Sequence, residues 1–241
     1  METIKVRGLV IKEFETGESD KRLLLLCKEH GRLLVYARGA RKQKSKFIAA
    51  AQLFVYADFV LAKGRGFYSV NAAEVIENFY ALRTDYDRLI AAHLICEVCE
   101  KTVMEQMESD ECLRITLKSL QHLCKGHMPE EQILSVFLYK IFDDHGLAPH
   151  IHECVICGAL MDAPTNAVLT PEGLCCAVHT INAGKHIEAP TVAALKHILE
   201  HDLADAFRFC IDGQNLKQLL SAAIMLWDHH FEWTLKSYES V

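Results

Sequence analysis

Leu23-Leu24-Leu25-Leu26-Cys27-Lys28-Glu29-His30-Gly31-Arg32-Leu33-Leu34-Val35-Tyr36 holds two apolar runs, Leu23 to Cys27 and Leu33 to Tyr36, on either side of a Glu29-His30-Gly31 turn. Apolar runs of four to eight residues around a glycine turn read as a β-hairpin. The same grammar extends outward. Ile4-Lys5-Val6-Arg7 alternates, and the runs Gln52 to Leu61 and Phe67 to Val75 are separated by Lys63-Gly64-Arg65-Gly66. About five strands up to residue 79, basic and rich in Tyr and Phe, fit a small Greek-key barrel of the OB type. A small sandwich or SH3-like barrel is the alternative.

From Leu82 the period becomes helical. Leu89, Ala92, His93, Cys96, Cys99 and Val103 recur at three and four, as do Ile133, Val136, Phe137, Lys140 and Ile141 with one polar lapse. Met128-Pro129-Glu130-Glu131 opens the second of these with Pro and acids in its first turn. Thr191 to His201 and Leu216 to Trp233 read as two more helices. The expected fold class is α+β: an N-terminal five-stranded OB-type β-barrel over 1–79, then a C-terminal all-α domain over 80–241 with a zinc-binding segment inserted at 150–184.

The 241 residues carry 51 % hydrophobic and 24 % charged side chains, a globular composition that excludes disorder as the main state. No apolar run approaches the ~20 residues that span a bilayer. No basic, apolar and small-residue leader stands at the N-terminus, so a cytoplasmic protein without membrane attachment is expected. Ten cysteines in a long apolar chain point to metal ligands and buried thiols rather than a disulfide framework.

The net charge of −6 hides an asymmetry. Residues 1–80 hold 14 Lys and Arg against 9 Asp and Glu, and residues 81–241 hold 12 against 23. A basic module on an acidic body predicts one face for a polyanion and another for a different partner. The densest run is Arg38-Gly39-Ala40-Arg41-Lys42-Gln43-Lys44-Ser45-Lys46-Phe47, in a connection between expected strands. Its plainer reading is a solvated loop. Arg22, Arg32, Lys63 and Arg65 nearby, with Tyr36, Phe47, Tyr56, Phe67 and Tyr68 as candidate exposed rings, favour a single-strand-binding groove of cations and stacking platforms. Phe67 and Tyr68 are consecutive and so point to opposite faces; at most one can stack on a base.

Cys154-Val155-Ile156-Cys157-Gly158 and Cys176-Ala177-Val178-His179, with 18 residues (158–175) between the two pairs, have the spacing that brings side chains to one tetrahedral Zn²⁺. Three thiolates and one imidazole close the shell, which argues for one structural ion and against a zinc hydrolase. Cys175 competes with Cys176 but lacks the two-residue spacing to His179, and His150 and His152 are outside candidates for the imidazole. Cys96-Glu97-Val98-Cys99 lies in a helical pattern without a second pair, so buried thiols are expected there and at Cys27, Cys112, Cys124 and Cys210. No nucleophile elbow, phosphate-binding loop, metalloprotease helix or deaminase motif occurs, and no catalytic residue is expected.

The chain resembles the RecO family of bacterial recombination and repair mediators nearly end to end. The resemblance rests on Gly17-Glu18-Ser19-Asp20, Glu29-His30-Gly31-Arg32, Arg38 to Lys42 with Ser45-Lys46, Ala73 to Phe79 through Leu82-Arg83 and Tyr86 to Leu89, and His145-Gly146-Leu147-Ala148-Pro149 leading to Cys154-x-x-Cys157-Gly158. It implies the barrel, the helical domain and the zinc segment. It further implies binding to single-stranded and duplex DNA, and ATP-independent annealing of complementary strands, including strands coated by single-stranded-DNA-binding protein. Loading of RecA with the partner RecR is implied as well, in the bacterial nucleoid. One departure is His179, where the family more often has Cys; tetrahedral zinc accepts the exchange. The rival reading is a zinc-stapled non-catalytic scaffold whose barrel binds structured RNA or a protein.

Overall fold

The apolar runs fold as their alternation predicts. A computed structural model describes residues 2–179 and 184–235, so residues 180–183 of the expected 150–184 segment lie outside the described residues. Strands β1 (Thr3–Thr16), β2 (Asp20–Cys27), β3 (Gly31–Ala37), β4 (Tyr56–Lys63) and β5 (Tyr68–Glu77) close a barrel in the order β1-β2-β3-β5-β4. β1 serves two partners: Thr3–Leu9 pairs antiparallel with β4 and Gly8–Thr16 with β2. A register shift between Val10 and Lys12 lets the strand bend between them. Closure comes from a short parallel contact, Val35 to Tyr68 and Tyr36 to Ser69. This is the OB-type barrel.

Val6, Val10, Leu23, Leu25, Val35, Phe59, Leu61 and Val70 fill the interior. Leu24 and Leu26 point the other way and are buried too. Helices α1 (Tyr86–Thr102) and α2 (Asp110–Lys125) pack on β1 and β2, so the hairpin strand has both faces covered and its leucines run without interruption. Asp85 caps α1, its carboxylate accepting from Arg88 N–H at 3.1 Å. α2 lies outside the four helices read from periodicity. Its buried stripe of Cys112, Leu113, Ile115, Leu120 and Leu123 keeps the helical period, and Thr116 and Ser119 within it are satisfied by donating their hydroxyls to the Cys112 and Ile115 carbonyls.

The β2–β3 turn is locked to residues 103–109. Arg32 N–H donates to Met104 O at 3.1 Å, Gln106 N–H to His30 O at 2.9 Å, and the Ser109 hydroxyl to Cys27 O at 2.8 Å. Gly31 has φ +58°, and a Cβ there would lie 2.0 Å from Met104 O. Gly31→Ala is expected to lower stability by more than the ~1–3 kcal/mol of backbone strain alone, because the carbonyl cannot move without breaking the turn contacts. Gly17→Ala, with φ +55° but open space around it, is the matched control and should lose only the strain. Urea midpoints of the two variants test this, and equal losses would remove the Met104 contact from the account.

Compact packing divides the chain at residue 125. One unit holds the barrel, α1, α2 and Leu235; the other is Gly126–Thr234. The barrel's unit therefore runs past the change of period at residue 79. In the second unit, α3 (Glu130–Asp144) is buried from Gln132 to Phe142 and packs against α4 (Ala189–Glu200) and α5 (Gly213–His230). Its polar members are satisfied. Gln132 donates to Phe207 and Phe209 carbonyls at 2.9 and 3.1 Å, and the Lys140 ammonium reaches His201 O at 2.7 Å. That explains the one polar lapse in the stripe. Three short strands, β6 (Ala167–Leu169), β7 (Leu174–Cys176) and β8 (Lys185–Ile187), form a sheet in the order β7-β6-β8. The segment between the cysteine pairs thus has more regular structure than its Pro and Gly content suggests.

Candidate nucleic-acid interface and metal centre

The basic run, Arg38 to Phe47, opens the connection 38–55, a chain of turns between β3 and β4 rather than a free loop. Phe47, Ala50 and Ala51 turn inward and join the barrel core, which anchors the connection and leaves its cations outside. Its start is fixed where the Asp20 carboxylate accepts from Gly39 N–H at 2.7 Å. Phe47 is only 7 % exposed, which corrects its reading as an exposed ring. Its ring is core because Phe47, with Ala40, Ala50, Ala51 and Val55, packs the connection onto the barrel interior.

The nine candidate cations separate by environment. Arg38, Lys42, Lys44 and Arg65 are exposed and make no ion pair with any described residue. Arg41 pairs with Glu15 at 3.0 Å and Lys63 with Glu2 at 3.3 Å, contacts at the surface that a phosphate can replace. Lys46 donates to Asn71 O at 2.9 Å and lies 4.9 Å from the Phe47 ring centroid. Arg22 and Arg32 are half-buried. The Arg22 guanidinium lies 5.4 Å from the Phe14 ring centroid, and Arg32 donates to the Glu100 carbonyl of α1. Both are held within their own unit, so they stand apart from the exposed set.

Of the remaining rings, Tyr56 and Tyr68 are half-buried, and Tyr68 packs against the core. Phe67 is exposed and meets Tyr36 edge-on, with centroids 5.6 Å apart and planes at 73°. Phe67 stands just before β5 and faces outward, while Tyr68, the first residue of the strand, packs against the core. Gly64, which the sequence marks only as a turn residue, lies under the Phe67 ring.

The four ligand atoms of Cys154, Cys157, Cys176 and His179 lie within 4.8 Å of one another. Cys176 Sγ is 3.1 Å from His179 Nδ1, Cys154 Sγ is 3.8 Å from the same nitrogen, and Cys157 and Cys176 sulfurs are 4.0 Å apart. Metal–ligand bonds of roughly 2.0–2.3 Å in a tetrahedron give separations of this size. The first knuckle closes with Gly158 N–H donating to Cys154 O at 2.9 Å, Gly158 standing at φ +68°. Val155 N–H donates to Leu174 O at 3.0 Å and ties the two knuckles together. Burial of the Cys154 sulfur works against its ionisation, but the N–H groups of Cys176, Cys157 and Ile156 aimed at it bring its pKa down to about 6. A thiolate so stabilised is a prepared metal ligand.

Cys175 is buried in β7 and lies outside the cluster; burial pushes its thiol up. His152 instead faces Glu200, 3.8 Å away, and His150 is likewise outside. Cys96 and Cys99 are buried thiols in α1: burial pushes Cys96 well up, and Cys99 Sγ is 3.1 Å from the Thr116 hydroxyl. Cys27 and Cys112 are buried as well, whereas Cys124 is half-buried and Cys210 is exposed, a correction to the expectation for those two. Cys210 lies in an irregular stretch between α4 and α5, where no helical face protects it. Among the described residues, no helix is long and apolar enough to cross a membrane.

The described residues thus combine an OB-type barrel bearing a cationic β3–β4 connection with helices and a Cys3His cluster that could hold a metal ion. Comparison with known proteins is specific. The family profile described as Recombination protein O N terminal matches residues 1–79, and that described as Recombination protein O C terminal matches residues 83–239. The DNA repair protein RecO of Acetivibrio thermocellus is 33 % identical over 222 residues, covering 91 % of this chain and 88 % of that one. The DNA repair protein RecO of Alkaliphilus metalliredigens is 32 % identical over 228 residues, covering 92 % and 93 %. The chain belongs to the RecO family of DNA repair proteins.

Proposed function

We propose that this chain is a non-enzymatic mediator that binds single-stranded and duplex DNA and anneals complementary single strands without ATP. The proposal includes strands coated by single-stranded-DNA-binding protein and, with RecR, the loading of RecA in the bacterial nucleoid. The observation that carries it is the set of exposed, unpaired cations Arg38, Lys42, Lys44 and Arg65 around a connection anchored on the barrel. Two strands repel through their phosphates, and a cationic surface that touches only the backbone lowers that cost while leaving bases free to search for register. Arg41, Lys46 and Lys63 exchange a weak intramolecular partner for a phosphate; Arg22 and Arg32 support the barrel beneath.

In this reading residues 1–79 are the nucleic-acid module and 80–241, with 150–184 inserted, the acidic part that docks proteins and not DNA. Cys154, Cys157, Cys176 and His179 hold one structural Zn²⁺, which supplies tetrahedral cross-linking between two knuckles and leaves no position for a reactive water.

The test is annealing of two complementary fluorescent oligonucleotides, bare or coated with cognate single-stranded-DNA-binding protein. Acceleration in both cases, lost at high salt, is the expected result. Acceleration of bare strands alone would remove the coating-protein claim. No acceleration in either case would overturn annealing and favour the scaffold that binds structured RNA or a protein.

A further inference from the structure

Cations on the β3–β4 connection meet phosphates, which single strands and duplexes both present, so they do not choose between the two. A choice needs a group that meets something only an unpaired strand offers: the face of a base. Among the rings of the barrel, Phe67 is placed for this. It is 37 % exposed, the largest exposure of the five rings considered. It sits at the end of the Lys63-Gly64-Arg65-Gly66 turn, whose closure Gly64 N–H makes to Phe67 O at 2.8 Å.

The ring's position is built rather than incidental. A Cβ on Gly64 would lie 2.7, 2.9 and 3.0 Å from three atoms of the Phe67 ring, so the ring rests on the glycine backbone. Tyr36 of β3 supports it edge-on at 5.6 Å. Arg38, the first cation of the basic run, has its guanidinium 6.0 Å from the ring centroid. Arg38 is exposed and has no ion pair with a described residue, so it can follow a nucleotide placed on the ring. Lys63 and Arg65 flank the same turn. A strand whose phosphates run along Arg38 to Lys46 thus meets an aromatic face at the root of that run.

We propose that Phe67, seated on Gly64 and braced by Tyr36, is the platform on which one unpaired base stacks, and that this contact adds an affinity for single strands that a duplex does not share. The inference rests on the DNA-binding reading above and assigns its strand selectivity to a residue separate from the cations.

The experiment measures binding of three fluorescent ligands to the full-length chain: an oligothymidine, an abasic backbone of equal length, and a duplex. Phe67→Ala is expected to weaken oligothymidine roughly 5- to 150-fold, the range for losing one stacked base. Abasic and duplex affinities should stay within about twofold, and the salt dependence should keep its slope. Phe67→Trp should restore oligothymidine binding. Gly64→Ala displaces the ring without deleting it and should reproduce the selective loss. Since Phe67 is exposed, an unchanged melting temperature separates this from misfolding. Unchanged oligothymidine binding by Phe67→Ala overturns the assignment, as does an equal loss for all three ligands. Failure of the unsubstituted chain to bind any of them overturns the DNA-binding reading itself.

Discussion

Removing the metal, or the Cys154 thiol, is expected to melt the two cysteine knuckles while the α3–α4–α5 packing stays folded. The ligand atoms are contributed by residues up to 25 apart and held within 4.8 Å. Without an ion, the second knuckle keeps the β7 pairing and the buried Leu174 and Cys175, but the first has only backbone hydrogen bonds to Leu174 and Ala159 to hold it in place. Structural zinc contributes on the order of 10–16 kcal/mol in small metal-dependent folds. The knuckle exteriors are thin: Val155, Ile156, Leu160 and Val178 are exposed, so the packing there cannot replace the ion. α3, in contrast, is buried along its length and keeps its own partners at Gln132, Tyr139 and Lys140.

Elemental analysis is expected to find one zinc per chain, lost in Cys154→Ala and Cys176→Ala. Cys175→Ala should keep it, because Cys175 is core and not ligand. His179→Cys should keep it as well, since the tetrahedral shell accepts either donor. Limited proteolysis of the stripped protein should cut between 150 and 179 with far-UV helicity nearly unchanged. Zinc retained by Cys176→Ala but lost by Cys175→Ala would exchange the two assignments, and a chain purified without chelator that contains no metal would remove the site.

The second large effect belongs to the cations. Replacing Arg38, Arg41, Lys42, Lys44 and Lys46 together by Ala should flatten the log–log salt dependence of single-strand binding. Each lost phosphate contact removes ~0.7 from the slope, so five contacts give a change of ~3.5. Arg38, Lys42 and Lys44, which have no ion pair with a described residue to give up, should account for ~2 of that change as a triple variant, an equal share per contact. Arg32→Ala should act differently: it removes a donor to the Glu100 carbonyl and lowers stability, with the slope nearly intact. An unchanged slope in the quintuple variant would remove these residues from the interface. A slope lost equally with Arg32→Ala would return that residue to it.

Much of this was legible in the chain itself, and for local reasons. The hairpin at Leu23 to Tyr36 is visible because strand alternation and a glycine turn involve only sequence neighbours. The cluster at Cys154, Cys157, Cys176 and His179 is visible because each knuckle supplies two ligands three residues apart. α2 carries a helical recurrence of its own in Cys112, Leu113, Ile115, Leu120 and Leu123, and its absence from the four helices above has no basis in the periodicity.

The sequence by itself determined the barrel's strands, the change to helices near residue 82, the density of charge at Arg38 to Lys46 and the pairing of ligands. These follow from periodicity and spacing, which are properties of neighbours. Tertiary structure alone decided which ring faces outward, which cations remain free and which of two adjacent cysteines turns toward the ligands. Phe47 seals the barrel while Phe67 stands exposed against Tyr36 of β3; Arg32 is drawn to a carbonyl 68 residues away; Cys175 is core and Cys176 joins the cluster with Cys154, Cys157 and His179. Each of those outcomes is set by a partner distant in the chain, and burial by a distant partner leaves no periodic trace at the residue it buries.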